Sequence, residues 1–489
     1  MSDINRPVPS DFFKDWKERE ALAEAMIPLI GQLHRKNNIT CYIYGRNLLN
    51  RSVIDIMKAH RFVRQIERNE LSEFETFPVF KAMASLNLGP GHVDVGRIAS
   101  QYMADERGLT AEEFVREAMG DAVDNPHAPI PEPQDVVLYG FGRIGRLMAR
   151  LMVEKSGGGH ALRLRAVVVR STKDPVSDLT KRASLLRRDS VHGSFKGTIR
   201  ILEDKLQLVC NGNVIQFIYA GMPNEIDYTQ HGIDNAIVVD NTGAWRDEAG
   251  LSQHLKAKGV AKVLLTAPGK GDIKNVVAGV NDSVIDAGKD TIVSAASCTT
   301  NAIVPALKLI NDEYGVVRGH VETVHAYTND QNLIDNFHKA SRRGRSAAMN
   351  MVLTETGAAK AVAVALPELK GKLTGNAIRV PTPDVSMAIL NLTLDKAVDR
   401  DELNEFMRNA ALRSPLLKQI DYTDSPEVVS SDFIGSRTAC IYDAKATITN
   451  GNSAVVYLWY DNEFGYTCQV HRVLEKYAGV NYRTYPKKA

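Results

Sequence analysis

Cysteine is scarce in this sequence, and no two cysteines form a CxxC pair. The five cysteines lie at positions 41, 210, 298, 440 and 468, an odd number widely scattered along the chain. This distribution argues against a disulfide framework and offers no metal-ligand spacing. We therefore expect reduced thiols, as in a cytoplasmic protein, and no bound metal.

Long apolar segments and a strong net charge are also missing. No apolar run approaches the roughly 20 residues of a membrane-spanning helix, and residues 1–6 lack the charged-then-apolar layout of a signal peptide. The formal net charge is only +2, which argues against a large nucleic-acid interface. We expect no membrane partner and no nucleic-acid partner, and the 489 residues suggest about three domains.

Residues 1–120 show helical spacing but no motif that carries chemistry. Apolar residues recur at helical intervals between Leu22 and Leu33, and Thr110-Ala-Glu-Glu113 is a capping box that predicts another helix start. A DNA-reading helix-turn-helix over 95–119 is disfavoured because acidic residues outnumber basic ones there. We predict an all-helical extension that docks to an unknown protein or supports oligomerisation.

Residues 121–134 predict a linker. Four prolines fall within this stretch, and they forbid a helix and favour extended polyproline geometry. A semi-rigid spacer should therefore separate the extension from the rest of the chain.

A dinucleotide-binding pattern begins directly after the linker. The apolar run 136–139 predicts a strand, 146–154 a helix and 162–169 a second strand. Between the first strand and the helix stands a GxGxxG turn, which at this place in a βαβ unit predicts a pyrophosphate site on the helix N-terminus. The residues of this turn are Gly140, Phe141, Gly142, Arg143, Ile144 and Gly145.

The end of the second strand bears on the choice of cofactor. A carboxylate at that position binds the ribose 2′-hydroxyl of NAD, but here Arg170 and Ser171 follow the strand and no carboxylate appears before Asp174. These residues could accept a 2′-phosphate, which favours NADP or dual use. The alternative is that Arg170 is a solvated strand-end residue.

Further βα alternation ends at a cysteine. The strands 236–240 and 262–266 run into small polar turns with Thr242, Gly243 and Thr266, as at the cofactor edge of a doubly wound sheet. The run 291–293 then leads through Ser294-Ala-Ala-Ser to Cys298 at a predicted helix start, where the helix dipole should lower the thiol pKa and favour a nucleophile. A small buried hydrophobe is the alternative role for Cys298.

Beyond Cys298 the pattern changes to longer alternating strands, over 318–326 and 376–394, which predicts an α+β domain with a mainly antiparallel sheet. His325 lies near the end of the first strand, where a lone histidine could equally be structural. Thr328, Thr356-Gly357 and Arg379 together could bind phosphate. The basic loop 337–345 suits an anionic ligand, an RNA or a membrane patch.

Several motifs make a resemblance specific. YGFGRIGRLMARLM (139–152), SAASCTTN (294–301), ETVHAYTNDQ (322–331), RRGRSAAMNM (342–351), the stretch 355–386 with RVPTPDVS, VVSSDF (428–433) and WYDNEFGY (459–466) resemble phosphorylating glyceraldehyde-3-phosphate dehydrogenase. The order and spacing agree from Asp135 to the C-terminus. Residues 1–134 have no counterpart in the ordinary enzymes of that family.

The resemblance implies a role for each matching residue. It implies that Cys298 is the nucleophile and His325 its base, that Asn462 holds the nicotinamide carboxamide and that Tyr466 packs near that ring. It also implies a homotetramer. The residues that match the substrate phosphate site are Thr328, Asp330, Arg343 and Arg379. Those that match the inorganic phosphate site are Ser297, Thr299, Thr356 and Gly357.

Two departures from the family pattern again concern the cofactor. The common Asn-Asp at the second strand end is Arg170-Ser171 here, and the Leu-Pro pair in the basic loop is Asn336-Phe337. Both changes favour NADP over NAD, so we expect NAD or NADP with a preference for NADP or dual use.

We therefore predict an α/β protein in four parts: a helical extension (1–120), a linker (121–134), a Rossmann domain (135–297, completed by 463–489) and an α+β catalytic domain (298–462). The predicted reaction is oxidative phosphorylation of D-glyceraldehyde 3-phosphate to 1,3-bisphosphoglycerate through a cysteine thioester, in glycolysis or gluconeogenesis. The alternatives are an erythrose-4-phosphate dehydrogenase, or a cofactor-sensing or partner-binding protein that acts through its N-terminal helices.

Overall fold

The computed structural model of the protein describes residues 8–67, 70–125, 132–157 and 161–487. The chain forms two compact units. The N-terminal unit consists of Met1–Pro133, Lys155–Ala161 and Val480–Ala489, and the main unit of Gln134–Glu154 and Leu162–Gly479. Residues 126–131, which include three of the four prolines of the predicted linker, lie outside the described residues.

The first part of the N-terminal unit contains helices and strands. The helices are α1 (Phe12–Asn37), α2 (Val53–Glu67), α3 (Glu73–Ser85), α4 (Val95–Met103) and α5 (Ala111–Met119). The strands are β1 (Ile39–Ile43), β2 (Arg46–Asn47) and β3 (Gly91–Asp94). The capping box at Thr110 and Glu113 starts α5 as expected.

The main unit begins with alternating strands and helices. The helices up to residue 297 are α6 (Arg143–Lys155), α7 (Pro175–Arg187) and α8 (Glu248–Leu255). The strands are β4 (Gln134–Tyr139), β5 (Leu162–Arg170), β6 (Arg188–Asp189), β7 (Gly193–Ser194), β8 (Ile199–Leu202), β9 (Gln207–Cys210), β10 (Asn213–Ala220), β11 (Ala236–Asp240), β12 (Val260–Leu265), β13 (Lys274–Asn275) and β14 (Ile292–Ser294).

The rest of the chain supplies a second set of elements. The helices are α9 (Cys298–Tyr314), α10 (Ala358–Ala365), α11 (Arg400–Arg413) and α12 (Phe464–Tyr477). The strands are β15 (Val316–Ala326), β16 (Val352–Thr354), β17 (Leu373–Val380), β18 (Ser386–Leu394), β19 (Ile420–Thr423), β20 (Cys440–Asp443), β21 (Ile448–Asn450), β22 (Ser453–Tyr460) and β23 (Arg483–Tyr485).

The N-terminal unit is not all-helical, which corrects the expectation from its sequence. A sheet in the order β2-β1-β3-β23 runs through it, with β1, β3 and β23 parallel. Residues Ile39-Thr-Cys-Tyr-Ile43 are rich in β-branched side chains and alternate between buried and half-buried, which suits a strand rather than a helix.

The C-terminal segment corrects a second expectation. Helix α12 packs in the core of the main unit through Val470, Val473 and Leu474, but residues 480–489 belong to the N-terminal unit rather than to the dinucleotide domain. Strand β23 pairs with β3, and Tyr485 is fully buried with its hydroxyl donating to the Asp121 carboxylate at 2.7 Å.

The main unit contains two large sheets, which confirms the predicted combination of a parallel sheet and a mainly antiparallel one. The first has the order β13-β14-β12-β11-β4-β5-β10-β9-β8, and its strands from β13 to β10 are parallel. The second has the order β16-β17-β15-β18-β22-β20-β19 and is largely antiparallel. Helix α9 is buried along most of its length, and Cys298 contacts the cores on both sides.

Among the described residues, no helix combines the length and the apolar character that crossing a membrane requires.

Candidate functional site

Cys298 is the first residue of α9. Ser297 caps this helix, because its hydroxyl accepts the Thr300 N–H at 3.0 Å. Strand β14 ends three residues before the cap, so the parallel sheet delivers the cysteine to its carboxyl edge. The thiol therefore stands where unpaired helix amides and the helix dipole favour a developing negative charge.

His325 lies beside this thiol. The ring sits near the end of β15, and its Nε2 is 3.5 Å from Cys298 Sγ. Tyr460 packs edge-on against the imidazole with ring centroids 6.0 Å apart. The structure thus brings together the two residues predicted to act as nucleophile and base.

The electrostatics of the thiol differ from the expectation. Burial raises the pKa of Cys298, and the charge of Arg379 only partly opposes this. The expectation of a lowered thiol pKa is therefore not met, because desolvation favours the neutral thiol. A neutral thiol must pass its proton to a base before it can attack.

Arg379 contacts His325 directly. Strand β17 pairs with β15 so that Arg379 is in register with His325. Its Nη1 lies 2.7 Å from His325 Nδ1 and 2.9 Å from the Ala326 carbonyl oxygen. Burial, together with this positive charge, lowers the pKa of His325 to about 3, so the imidazole is neutral at pH 7.

The other residues predicted for the substrate phosphate lie on two nearby loops. Arg343 is ion-paired with Asp330 and also donates to Thr354 Oγ1 at 3.1 Å. Thr328 is exposed on the same loop as Asp330. Arg343, Thr356 and Gly357 line one cavity of about 700 Å³, so it joins residues from both predicted phosphate sites.

The three hydroxyls of the predicted inorganic phosphate site all have hydrogen-bond partners within the protein. Ser297 Oγ lies 2.7 Å from Thr300 Oγ1, and Thr299 Oγ1 lies 3.0 Å from the Tyr460 hydroxyl. Thr356 Oγ1 accepts the Ala358 N–H at 3.1 Å at the start of α10. Tyr460 was not predicted from the sequence, although it is the second residue of the WYDNEFGY motif.

The glycine turn between β4 and α6 fits a dinucleotide. Gly140 has φ +93°, and a Cβ at Gly145 would lie 2.3 Å from the Gly140 carbonyl oxygen, so both positions require glycine. A Cβ at Gly142 would meet open space, which leaves the backbone accessible to a pyrophosphate. The first amides of α6, from Arg143 and Ile144 onward, lie at the start of the helix, where anions bind.

Neighbouring strand ends complete this edge of the sheet. Asp240 Oδ1 accepts both the N–H and the hydroxyl of Thr242 at 2.7 Å, and Gly243 follows with φ +64°. The Thr266 hydroxyl donates to the Asp240 carbonyl oxygen at 3.0 Å. A buried His254 holds the other carboxylate oxygen of Asp240 at 3.0 Å, a contact that the sequence did not indicate.

Arg170 and Ser171 stand exposed at the end of β5. Their backbone lies beside the end of β10, where the Ser171 N–H donates to the Ala220 carbonyl at 3.3 Å. Asp174, the next carboxylate along the chain, caps α7 through the Ser177 N–H. The strand end therefore presents a guanidinium and a hydroxyl to solvent.

Asn462 and Tyr466 lie at the start of α12. The amide oxygen of Asn462 accepts the Ser386 hydroxyl at 2.7 Å, and Tyr466 is buried with its hydroxyl donating to the Ala296 carbonyl at 2.8 Å. These contacts tie the helix start to the first residue of β18 and to the turn that precedes Cys298.

A buried ion cluster beside this point was missed from the sequence. His192 Nε2 lies 3.2 Å from both Asp384 Oδ2 and Asp461 Oδ2. Arg143 binds Asp189 and Glu463 and reaches His192 Nδ1 at 3.2 Å. We name these residues, His192, Arg143, Asp189, Asp384, Asp461 and Glu463, the His192 cluster. Its members are far apart in sequence, so no local motif could reveal it.

The His192 cluster can offer three metal-ligating atoms, from His192, Asp384 and Asp461. Although burial opposes it, the two carboxylates raise the pKa of His192 to about 10, so the ring carries a proton at pH 7. The protonated ring and Arg143 pair with the carboxylates around them, so the cluster forms an internal ion network.

Comparison with known proteins gives the relationships of the chain. Residues 134–248 match the family described as glyceraldehyde 3-phosphate dehydrogenase, NAD binding domain, and residues 297–462 match glyceraldehyde 3-phosphate dehydrogenase, C-terminal domain.

Three relatives illustrate how much of the chain is shared. A glyceraldehyde-3-phosphate dehydrogenase-like protein from Pseudomonas aeruginosa is 62% identical over 94% of this chain and all of its own length. Glyceraldehyde-3-phosphate dehydrogenase 2 from Nostoc sp. is 40% identical over 68% of this chain and 96% of its own. The glyceraldehyde-3-phosphate dehydrogenase from Streptococcus pyogenes is 39% identical over 71% of this chain and 98% of its own.

The chain belongs to the glyceraldehyde-3-phosphate dehydrogenase family, and is an oxidoreductase of that type with an NAD-binding domain.

Proposed function

We propose that, as a member of this family, the protein oxidises D-glyceraldehyde 3-phosphate and couples the oxidation to inorganic phosphate, which gives 1,3-bisphosphoglycerate. The observation that carries the proposal is the pairing of Cys298 Sγ with His325 Nε2 at 3.5 Å, at a helix start and beside Arg379. A nucleophile, a base and an anion-binding guanidinium in one place are what acyl transfer from a phosphorylated aldehyde needs.

The residues divide the reaction between them. His325 Nε2 takes the proton of the Cys298 thiol, and the sulfur attacks the aldehyde carbon to form a thiohemiacetal. His325 and the Cys298 backbone amide stabilise the developing oxyanion. The bound nicotinamide supplies the hydride acceptor for the step that leaves a thioester on Cys298.

Phosphate binding completes the cycle. Arg379, Thr328 and Arg343 hold the phosphate of the substrate and so fix the aldehyde carbon at the sulfur. Asp330 completes this site by positioning Arg343 through their ion pair. Ser297, Thr299, Thr356 and Gly357 bind the inorganic phosphate that attacks the thioester. Their engaged hydroxyls must then exchange internal partners for the anion.

The cofactor is proposed to be NADP, or either of NAD and NADP. Arg170 and Ser171 are exposed at the strand end and present donors where a carboxylate would repel a 2′-phosphate. By the same relationship the protein is proposed to be a homotetramer that works in glycolysis or gluconeogenesis without a metal.

One assay tests the function. The purified protein is given either glyceraldehyde 3-phosphate or erythrose 4-phosphate, each with NAD or NADP, and each with and without inorganic phosphate. We expect phosphate-dependent reduction of the cofactor with the triose. A higher kcat/KM with erythrose 4-phosphate would instead assign the tetrose reaction.

The Cys298→Ala variant is the matched control for that assay. We expect it to lose turnover completely while it still binds the cofactor, measured by titration of protein fluorescence. Substantial residual turnover in this variant would contradict the thioester mechanism.

A further inference from the structure

The Ser386 hydroxyl is buried beside the proposed reaction centre, and the mechanism above does not use it. Ser386 is the first residue of β18 and is 1% exposed. Its Oγ accepts the backbone N–H of Ala326 at 3.0 Å and donates to the side-chain oxygen of Asn462 at 2.7 Å. One hydroxyl therefore joins the strand end next to His325 to the segment that starts α12.

The chemistry of these groups gives the direction of both hydrogen bonds. A backbone N–H can only donate, so the Ser386 oxygen accepts from Ala326. The hydroxyl has a single hydrogen, and a buried donor needs an acceptor. The Asn462 oxygen at 2.7 Å is that acceptor. If the amide were turned over, its NH2 group would face Ser386 and the hydroxyl hydrogen would lose this acceptor.

The same bond determines which way the NH2 group of Asn462 points. Because the amide oxygen is turned to Ser386, the NH2 group is directed away from that hydroxyl. Among the described residues, none accepts a hydrogen bond from this NH2 group. The side chain, which is 7% exposed, thus keeps its donors for a ligand.

Asn462 lies between two parts of the site. Two residues before it, the Tyr460 ring packs edge-on against His325 with centroids 6.0 Å apart. In the next position, Glu463 is ion-paired with Arg143, the first residue of α6 after the glycine turn. A dinucleotide whose pyrophosphate rests on that turn must bring its nicotinamide to the nucleophile for hydride transfer. The amide of Asn462 is therefore placed to meet that ring.

A nicotinamide offers an asparagine two different groups. Its carboxamide has a carbonyl oxygen, which accepts, and an NH2 group, which donates. An asparagine whose amide can turn over pairs with either group, whereas one that presents only its NH2 group pairs with the carbonyl oxygen. A side chain held in one orientation before binding also loses less conformational freedom when the ligand arrives.

We propose that Ser386 is a positioning residue, which holds the Asn462 amide with its NH2 group toward the cofactor, ready to donate to the carboxamide oxygen of the nicotinamide. This inference rests on the proposed function, in which the nicotinamide accepts hydride beside Cys298. Through Ala326 the same hydroxyl also supports the strand end that carries His325. The residue that holds the ring and the base therefore share one support.

Binding measurements with Ser386→Ala separate this role from a merely structural one. NADP is compared with 2′-phospho-ADP-ribose, and NAD with ADP-ribose, because the members of each pair differ only in the nicotinamide. By titration calorimetry we expect the Kd of the complete cofactors to rise about fivefold, the value of one hydrogen bond, and the Kd of the fragments to stay unchanged. Equal changes for both members of a pair, or no change in either, would overturn the proposal.

Thr447→Ala is the matched control. It also removes a buried hydroxyl, one that donates to the Tyr442 hydroxyl at 2.8 Å. All four dissociation constants should stay at their wild-type values in this variant. If they rose as much as in Ser386→Ala, the effect would belong to general destabilisation and the proposal would be wrong.

A double-mutant cycle shows whether Ser386 acts through Asn462. In an Asn462→Ala background the amide is gone, so adding Ser386→Ala should not raise the Kd of NADP further. A second, additive rise would contradict the proposal, because Ser386 would then act on the cofactor by another route.

One measurement needs no variant. In the 3-acetylpyridine analogue of NADP a methyl group replaces the NH2 of the carboxamide, so the carbonyl oxygen remains and the N–H donors are lost. Wild-type protein should bind this analogue within about threefold of NADP, because Asn462 pairs only with the carbonyl oxygen. A greater loss would mean that an acceptor faces the carboxamide, which overturns the inference. The proposed function fails separately if the wild type binds these cofactors but reduces neither with glyceraldehyde 3-phosphate and inorganic phosphate.

Discussion

At the scale of single residues, neighbours decide what each group near Cys298 can do. Burial raises the pKa of the thiol although the helix start favours a thiolate, and burial together with the charge of Arg379 lowers the pKa of His325. The sequence could indicate which residues meet, since Cys298 and His325 each stand at an element end. It could not indicate their ionisation, because that depends on how fully α9 and β22 exclude water.

The first residue-scale prediction concerns the cofactor. Replacing Arg170 with Asp and Ser171 with Ala should lower kcat/KM for NADP more than for NAD, because a carboxylate repels a 2′-phosphate and accepts a 2′-hydroxyl. Loss of two or three charge-assisted contacts corresponds to roughly a hundredfold change. Steady-state kinetics with both cofactors measure this, and an equal loss for both would contradict the prediction. Arg200→Asp, exposed on β8, is the control.

The second residue-scale prediction concerns the His192 cluster. His192→Gln should lower the free energy of unfolding by about 3 kcal/mol at pH 7, because it leaves Asp384 and Asp461 as buried charges without their cation. Adding Asp384→Asn should restore part of the loss. Urea unfolding of the two variants measures both effects, and a double variant no more stable than His192→Gln would speak against this account.

The loss of unfolding free energy in His192→Gln should become smaller as the pH rises. The pKa of His192 is about 10 in the folded protein and about 6.5 when unfolded. Because the pKa of His192 is higher in the folded protein, its protonated ring stabilises the fold fully below pH 6.5. This stabilisation is lost as the pH rises from 6.5 toward 10. The difference between wild type and His192→Gln should therefore shrink over that range in unfolding experiments.

At the scale of elements, the alternation of strands and helices after residue 134 was predictable, and so were helices in the N-terminal unit, but the sheet of that unit was not. Local sequence patterns indicate the turn glycines, the capping serine of α9 and the strand ends. Strand β3 is four residues long and β23 three, and they pair across almost 400 positions of sequence. A pairing that short and that distant leaves no periodicity to detect.

The element-scale prediction tests β23. Tyr485→Ala should destabilise the N-terminal unit by about 3–5 kcal/mol, because it empties a fully buried aromatic site and removes the bond to Asp121. Thr484→Ala, exposed on the same strand, should cost little. Limited proteolysis followed by mass spectrometry compares cleavage within residues 8–125 in the two variants. Equal protection would mean that β23 does not stabilise this unit.

At the scale of the whole molecule, the N-terminal unit distinguishes this chain from its shorter relatives. The Nostoc and Streptococcus proteins match over nearly all of their own chains but only about two-thirds of this one, whereas the Pseudomonas protein matches over 94%. The residues proposed for catalysis all lie in the main unit, which contains both large sheets.

The whole-molecule prediction concerns truncation. Removing residues 1–133 alone should give a poorly soluble protein, because Val480 and Tyr485, buried in the intact chain, lose their partners. Removing residues 480–489 as well should restore solubility and leave kcat within a few-fold of wild type. Soluble yield and steady-state kinetics of the two truncated proteins decide this. If the protein that lacks only residues 1–133 is more soluble than the protein that also lacks 480–489, the prediction is wrong and other residues bury Val480 and Tyr485.

The pairing of β3 with β23 also has a consequence for synthesis on the ribosome. Residues 91–94 emerge well before residues 483–485, yet the sheet that contains β3 is completed by a strand translated almost 400 residues later. At about 5–20 residues per second, the free side of β3 waits on the order of tens of seconds for its partner. During that interval every nascent chain presents an unpaired strand edge to its neighbours on the same messenger RNA.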